Sequence, residues 1–417
     1  MSTVKDAIDL DFVQGHFPGL KSVWVFLDNA GGSQIIQGAV DKITEFLIER
    51  NVQIGGSYQV SQAAAEALML GRQAAQTLVN AARPEEIVFG PSTTQLLRTL
   101  ASSMRRQFLP GDEIIVSHAD HESNIGPWNE LAEFGVVIKC WPLDQSSMSL
   151  RLEDLEPLMT ERTKLVCVHH VSNILGMVNP VKEIAAFVHE RGARICVDGV
   201  AYAPHRAIDV EAWDVDYYAF SLYKCYGPHT AIMYGKYDLL RELDGQYLYF
   251  YGKDKVPGKL EPGNPNYELA YSTVGIVEYF VALGRHLGGE GSDRALLEAG
   301  FEGIKAQEAV LSKRLLDWLS ARNDCRVIGH EDDAARVPTI AFKFDGLDSG
   351  AIARAMDDYG VAIRFGDFHS RRLVEDLQEN VDNGVLRISM VHYNSLEQVD
   401  RATAALAEVV SKMAHAS

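Results

Sequence analysis

A lysine and an acid at two neighbouring strand ends are the residues of this chain with the clearest chemical potential. Lys224 lies in Ser221-Leu222-Tyr223-Lys224-Cys225-Tyr226-Gly227-Pro228-His229, after the apolar run Asp216-Tyr217-Tyr218-Ala219-Phe220 and before a Gly-Pro turn. Just upstream, Arg194-Ile195-Cys196-Val197-Asp198-Gly199 reads as a second strand that ends in an acid. Pyridoxal phosphate needs such a pair. The amine binds its aldehyde, and the carboxylate keeps its pyridine nitrogen protonated so that the ring accepts electrons. Neither residue decides the matter alone, because a lysine after a strand is ordinarily a solvated charge and an aspartate there an ordinary turn residue.

The elements that must position the pair are legible around them. From Glu85 to Lys236, apolar strand-like runs (Glu86–Phe89, Glu113–Val116, Val136–Trp141, Leu165–Val168) alternate with helical patterns such as Thr94–Phe108, a segment around Trp128–Phe134, and Val181–Arg191 closed by Gly192. Short apolar strands separated by amphipathic helices predict a mainly parallel sheet covered on both faces. Leu287–Asp293 reads as a hinge, with Ser292 or Asp293 able to cap the long helix that follows. Beyond it, strands over Thr339–Phe344, Val361–Arg364 and Leu386–Val391 alternate with helices, which predicts a smaller α+β domain. The expected division is residues 20–285 for the large domain, with 1–19 and 286–417 in the small one.

Ligands of open α/β sheets collect at the carboxyl ends of the strands. The polar residues at those ends are Thr93 and Thr94, His121, Ser172 and Asn173, Asp198, Ser221 and Lys224. Thr93 and Thr94 open a helix, where free N–H groups and hydroxyls suit a phosphate, although in isolation an N-cap is the better explanation of them. His121 could stack on a flat ring, and Asn173 could bond a phenolic oxygen.

Composition narrows the class. The 417 residues carry a formal net charge of -18, which argues against a nucleic-acid partner. No stretch is long and apolar enough for a membrane span and the start has no apolar leader core, so a cytoplasmic location is expected. The five cysteines show no paired metal-type spacing, and His118-Ala119-Asp120-His121 lacks a third ligand at helical spacing, so no metal is expected. No Gly-x-Gly-x-x-Gly follows an early strand, which removes a nicotinamide-dependent dehydrogenase.

Together these residues resemble the fold-type I pyridoxal-phosphate enzymes of the class V aminotransferase group, in its cysteine desulfurase-like branch. The similarity runs from Phe26-Leu27-Asp28-Asn29-Ala30 to His392-Tyr393-Asn394. It is carried most specifically by His121–Trp128, His170-Val171-Ser172-Asn173, Val197-Asp198-Gly199 and the Ser221–Pro228 run. The resemblance implies Lys224 as the cofactor-binding lysine, Asp198 as the pyridinium partner, and His121 as the stacking and catalytic residue. It implies Thr93, Thr94, Ser221 and Tyr223 on the phosphate, and Ala30, Gly31, Asn173, Arg364 and Arg387 around the substrate. It also implies a homodimer whose sites are completed by the partner's Pro262-Gly263-Asn264-Pro265-Asn266 loop, with Asn264 reaching the phosphate. A guanidinium fork such as that of Arg387 suits a carboxylate independently of the resemblance.

The chain departs from the desulfurases where they keep a sulfur-accepting cysteine. The corresponding segment reads Arg364-Phe365-Gly366-Asp367-Phe368-His369-Ser370-Arg371, and no cysteine follows Cys325. A persulfide needs a thiolate. Ala201 also stands where desulfurases have a glutamine, Tyr223 where they have a histidine, and Asn264 where they have a threonine. The expected activity is therefore cleavage at Cβ of an L-amino acid, by β-elimination or β-decarboxylation, with possible capture of the three-carbon product by an aldehyde. His121 is the candidate acid at the leaving group, with His369 behind it. Transamination or epimerisation is the runner-up. A strict desulfurase is disfavoured by the missing thiol, and a non-catalytic scaffold by the presence of Lys224, Asp198, His121 and Arg387.

Overall fold

Runs such as Leu165-Val166-Cys167-Val168 are apolar at every position, so both faces of such a strand must be covered. The computed structural model, which describes residues 5–330 and 336–416, covers them. Among these residues the strands are β1 (Val25–Phe26), β2 (Ile87–Gly90), β3 (Glu113–Ser117), β4 (Val137–Trp141), β5 (Thr163–His169), β6 (Arg194–Asp198) and β7 (Tyr217–Ser221). They continue with β8 (Ala231–Gly235), β9 (Cys325–Ile328), β10 (Thr339–Phe344), β11 (Val361–Ala362), β12 (Arg364–Gly366) and β13 (Val385–Ser389). The large sheet has the order β2-β8-β7-β6-β5-β3-β4. Only β8 runs against the rest, pairing antiparallel with β2 and β7, so the carboxyl ends of the other six share one edge.

Alternate residues of each strand enter different cores. Val166, Val168, Ile195, Val197, Tyr218 and Phe220 pack on one face, and Leu165, Cys167, Cys196, Tyr217 and Ala219 on the other, all buried. Each fully buried Val- to Phe-sized side chain contributes about 1.5–3 kcal/mol. The first face is closed by helices Gln59–Val79, Val181–His189 and Tyr267–His286, and the second by Thr93–Met104 with Trp128. Tyr267–His286 meets its neighbours at glycines. A Cβ on Gly284 would lie 1.8 Å from the Leu296 carbonyl oxygen of helix Asp293–Ser320, and one on Gly275 2.3 Å from the Gly38 carbonyl.

The small unit is built on an antiparallel sheet of order β12-β13-β10-β9, backed by helices Ser349–Met356 and Leu396–Ala416 and the second half of Asp293–Ser320. The stretch expected as one strand over Val361–Arg364 is divided. β11 pairs in parallel with β1, and β12 joins β13. The cores also cross the division expected from the sequence. Ile8, Val13 and Phe17 pack in the large core, Val25 and Leu27 in the small one, and helix Asp293–Ser320 sends Leu297 and Phe301 to the first and Leu311 and Leu315 to the second. A long amphipathic helix can serve two cores, which sequence periodicity does not reveal. Residues 1–4 of the expected small domain lie outside the described residues. Ser292 caps the long helix, its hydroxyl accepting from the Ala295 N–H.

Candidate active site

The shared strand edge opens into a cleft lined by Thr93, Thr94, His121, Asn173, Asp198, Ser221, Tyr223 and Lys224 among others. Each stands where its strand ends. β2 leads into the helix that begins at Thr93, and β6 ends on Asp198. β7 ends on Ser221, and the 3-10 turn Leu222–Lys224 sets the lysine one turn beyond it. The Thr93 N–H and hydroxyl both meet the Ser221 hydroxyl (3.4 and 2.7 Å). Ser92 caps the helix by accepting from Gln95 N–H, so the N-cap role falls to Ser92 and leaves Thr93 and Thr94 facing the cleft.

Electrostatics separate the three central residues. Burial, reinforced by the Arg387 guanidinium, lowers the Lys224 ammonium to about 8 against the opposing pull of Asp198 and Asp28. Burial, with the charge of Asp120 added, raises Asp198 to about 7, while the Val200 N–H and Lys224 work the other way. A buried carboxyl in that state is stabilised by a cationic partner. His121 is pushed down to about 4 by burial and by the Lys224 charge. Its Nδ1 accepts from the Ser123 N–H at 3.1 Å, so the ring proton sits on Nε2. Thr94 donates to the Ser123 hydroxyl, which in turn meets Nδ1 at 2.5 Å, so a hydroxyl at the helix start holds the histidine ring in place. The expectation that His121 acts as the leaving-group acid meets this obstacle: a neutral imidazole at neutral pH is a hydrogen-bond donor and a flat surface, and a poor acid.

Among the described residues the small unit contributes no lining residue and meets the cleft through Asn173. Arg387 is buried, donates to the Asn173 carbonyl and to Asp28 (both 3.0 Å), and lies 3.8 Å from the Phe368 ring centroid. Its Nε has no hydrogen-bond partner. Arg364, exposed, approaches the other oxygen of Asp28 at 3.6 Å. A substrate carboxylate would thus meet guanidinium groups that already share one carboxylate. Ala30 is anchored by its N–H to the Ser389 hydroxyl, and a Cβ on Gly31 would lie 2.8 Å from the Asp28 carboxylate. Asn173 donates to the Phe368 carbonyl and accepts from the Ser370 hydroxyl, keeping one amide hydrogen for a ligand. Tyr223 stacks on His229 at 4.7 Å. Asn264 stands apart from this cleft, lining a neighbouring hollow with Gly90, Gln95 and His229.

Two residues of the cleft escape a reading by motif, Asp120 and His169. Asp120 is buried and accepts from the His121 N–H and from Asn124, whose oxygen accepts from the Trp128 indole. That chain of bonds ties the His121–Trp128 run together. His169 is buried beside Asp198, its register partner, with Nδ1 unpaired and 3.8 Å from Asp120. Extending the β5 strand by one residue would have exposed it, since it ends β5 as Asp198 ends β6.

The model of the aminotransferase class-V family matches residues 25–402. The chain belongs to that family. It is 40% identical over 415 residues to the aminotransferase-like protein FGM3 of Gibberella zeae, covering 97% of this chain and 99% of that protein. It is 32% identical over 426 residues to the cysteine desulfurase-like protein ustD of Aspergillus flavus, covering 98% and 92%. The crystal structure of the cysteine desulfurase CsdA from Escherichia coli, as its S-sulfonic acid, superimposes with a TM-score of 0.81 at 25% identity over 97% of this chain and 99% of that one. Class-V enzymes use pyridoxal phosphate, and this chain is a pyridoxal-phosphate-dependent enzyme. Its cleft fits the cofactor by donor chemistry: hydroxyls and a helix start for a phosphate, a buried carboxyl lacking a strong cationic partner, a flat neutral ring and a partly deprotonated lysine. No helix among the described residues is long and apolar enough to cross a membrane.

Proposed function

We propose that the protein is a lyase acting at Cβ of an L-amino acid, working as a homodimer without a cysteine persulfide. One observation carries the reading. The turn that holds the sulfur-accepting cysteine in desulfurases is Asp367-Phe368-His369-Ser370 here, and among the described residues no cysteine lines the cleft. Cys225, next to Lys224, is buried with its thiol directed to the Ala203 carbonyl, and burial raises that thiol far above its ordinary value. It is neither exposed nor ionised, as sulfur transfer requires.

Bound pyridoxal phosphate supplies an electron sink for bonds at Cα and Cβ. In this reading Thr93, Thr94 and Ser221 hold its phosphate, Asp198 faces its ring nitrogen, His121 covers its ring, and Lys224 takes its aldehyde. Lys224, once displaced by the substrate amine, removes and returns the proton at Cα. An amine near 8 is suited to that exchange at neutral pH. Arg387 and Asn173 orient the α-carboxylate, with Asp28 giving way to it. Groups that leave without a thiol acceptor, such as carbon dioxide from aspartate or sulfite-level sulfur from cysteine sulfinate, then fit the site. The Asn264 loop lies outside its own cleft, which supports its service to a partner's site.

Product analysis in heavy water over a panel of L-amino acids including aspartate, cysteine and cysteine sulfinate tests the reading. Deuterated alanine with loss of the β-substituent is expected. Keto acid with the cofactor left as its amine, or Cα exchange with every side chain intact, would move the assignment to aminotransferase or epimerase. A persulfide on any cysteine after incubation with L-cysteine, seen by intact mass, would restore the desulfurase reading.

A further inference from the structure

The turn that replaces the cysteine loop is held in an unusual conformation. Phe368 and His369 are consecutive non-glycine residues in the left-handed region (φ 51° and 60°). Each such residue costs about 1–3 kcal/mol and persists only where its surroundings impose it. Here they do. Asn173 donates to the Phe368 carbonyl, Glu122 N–H to the His369 carbonyl (2.9 Å), and His369 N–H to the Asp367 carboxylate. Ser370 bonds Asn173, and Arg372 grips Glu122 through both carboxylate oxygens. The result is an exposed imidazole set edge-on to the ring of His121 at 5.5 Å between centroids, on the solvent side of the cleft.

Resting on the lyase reading, we propose that His369 delivers the proton to the substrate's β-carbon after the β-substituent has gone. When that substituent leaves as a neutral molecule, such as carbon dioxide from aspartate, the electron pair of the broken bond stays on the three-carbon fragment. Forming alanine needs a new C–H bond at Cβ as well as the one Lys224 restores at Cα. His369, as imidazolium, gives its proton to Cβ, the pair on the fragment forms the bond, and the neutral ring regains a proton from water. The net reaction takes up one proton. His121 is unsuited to this step, because Nδ1 is committed to Ser123 and the ring stays neutral beside Lys224. The imidazole set edge-on to it is exposed to solvent. The charged groups bonded to its turn are the Asp367 carboxylate, which accepts the His369 N–H, and Glu122, whose N–H donates to the His369 carbonyl and whose carboxylate pairs with Arg372.

His369→Gly is the informative variant, since glycine relieves the left-handed backbone and leaves the exposed position open to added imidazole. With aspartate and cysteine sulfinate, alanine formation should fall at least about 100-fold. Cα exchange in heavy water and the visible absorbance of the bound cofactor should be unchanged. With an added aromatic aldehyde the ratio of aldehyde adduct to alanine should rise, and free imidazole should restore alanine. Alanine formed at the unmodified rate, parallel loss of Cα exchange, or no rescue by imidazole would each overturn the assignment. Keto acid and no alanine from the unmodified protein would overturn the lyase reading itself and this inference with it.

Discussion

Lys224 offers the sharpest quantitative test, because its nucleophilicity before the cofactor binds follows from its surroundings. With the ammonium lowered from 10.5 to about 8, about 9% of the side chain is neutral at pH 7, against about 0.03% for an unperturbed lysine. The cleft therefore makes the amine about 300-fold more available. Competitive labelling of the cofactor-free protein with acetic anhydride across pH, quantified at Lys224 by mass spectrometry, should give an inflection near 8. Burial is the first cause and the Arg387 charge the second, so Arg387→Gln should move the inflection upward while leaving it below 10.5. That substitution also releases Asp28 from its partner at 3.0 Å, and the freed anion stabilises the ammonium in the same direction. Adding Asp28→Asn should return part of the shift. An inflection at 10.5 in the unmodified protein would refute the electrostatic argument. One that ignored Arg387 would leave burial as the whole cause.

Three further outcomes are expected. On the proposed placement of the buried Asp198 at the cofactor's ring nitrogen, Asp198→Asn should weaken cofactor retention about 10- to 100-fold, measured by dialysis against visible absorbance. Glu261→Ala breaks a buried pair in which Glu261 binds Arg72 at 2.5 Å and accepts the Phe89 N–H of edge strand β2, and should cost about 3–5 kcal/mol in urea unfolding. Gly284→Ala forces apart helices Tyr267–His286 and Asp293–Ser320, where the added Cβ would lie 1.8 Å from a carbonyl oxygen. It should lower the thermal midpoint, with a cost of about 1–3 kcal/mol or more.

The residues that sequence order alone could place are those at strand ends. Strands apolar at every position required a doubly covered sheet, and such a sheet puts its polar terminal residues at one edge. Thr93, His121, Asn173, Asp198, Ser221 and Lys224 follow from that logic and line one cleft in the structure. Asp120 and His169 escaped because their importance lies in what they face, and a buried acid beside a buried histidine reads like any strand-end pair until the strands are set in register. The domain boundary was less legible, since Val25 and Leu27 are apolar whichever core takes them.

The sequence by itself determined the fold class, the strand-end positions of Lys224 and Asp198 and the absence of any cysteine after Cys325, because local periodicity and residue identity carry those facts. Tertiary structure decided the protonation of the site and the state of its arginine. His121 stays neutral because Lys224 and a desolvating wall converge on it from separate strands, and Arg387 is held by Asp28, 359 positions away in the chain. His369 gained its place by the same route. Hydrogen bonds from Asn173 and Glu122, each on a different loop, fix its backbone beside the cleft. Charges and dipoles act through space, and only the folded chain sets those distances.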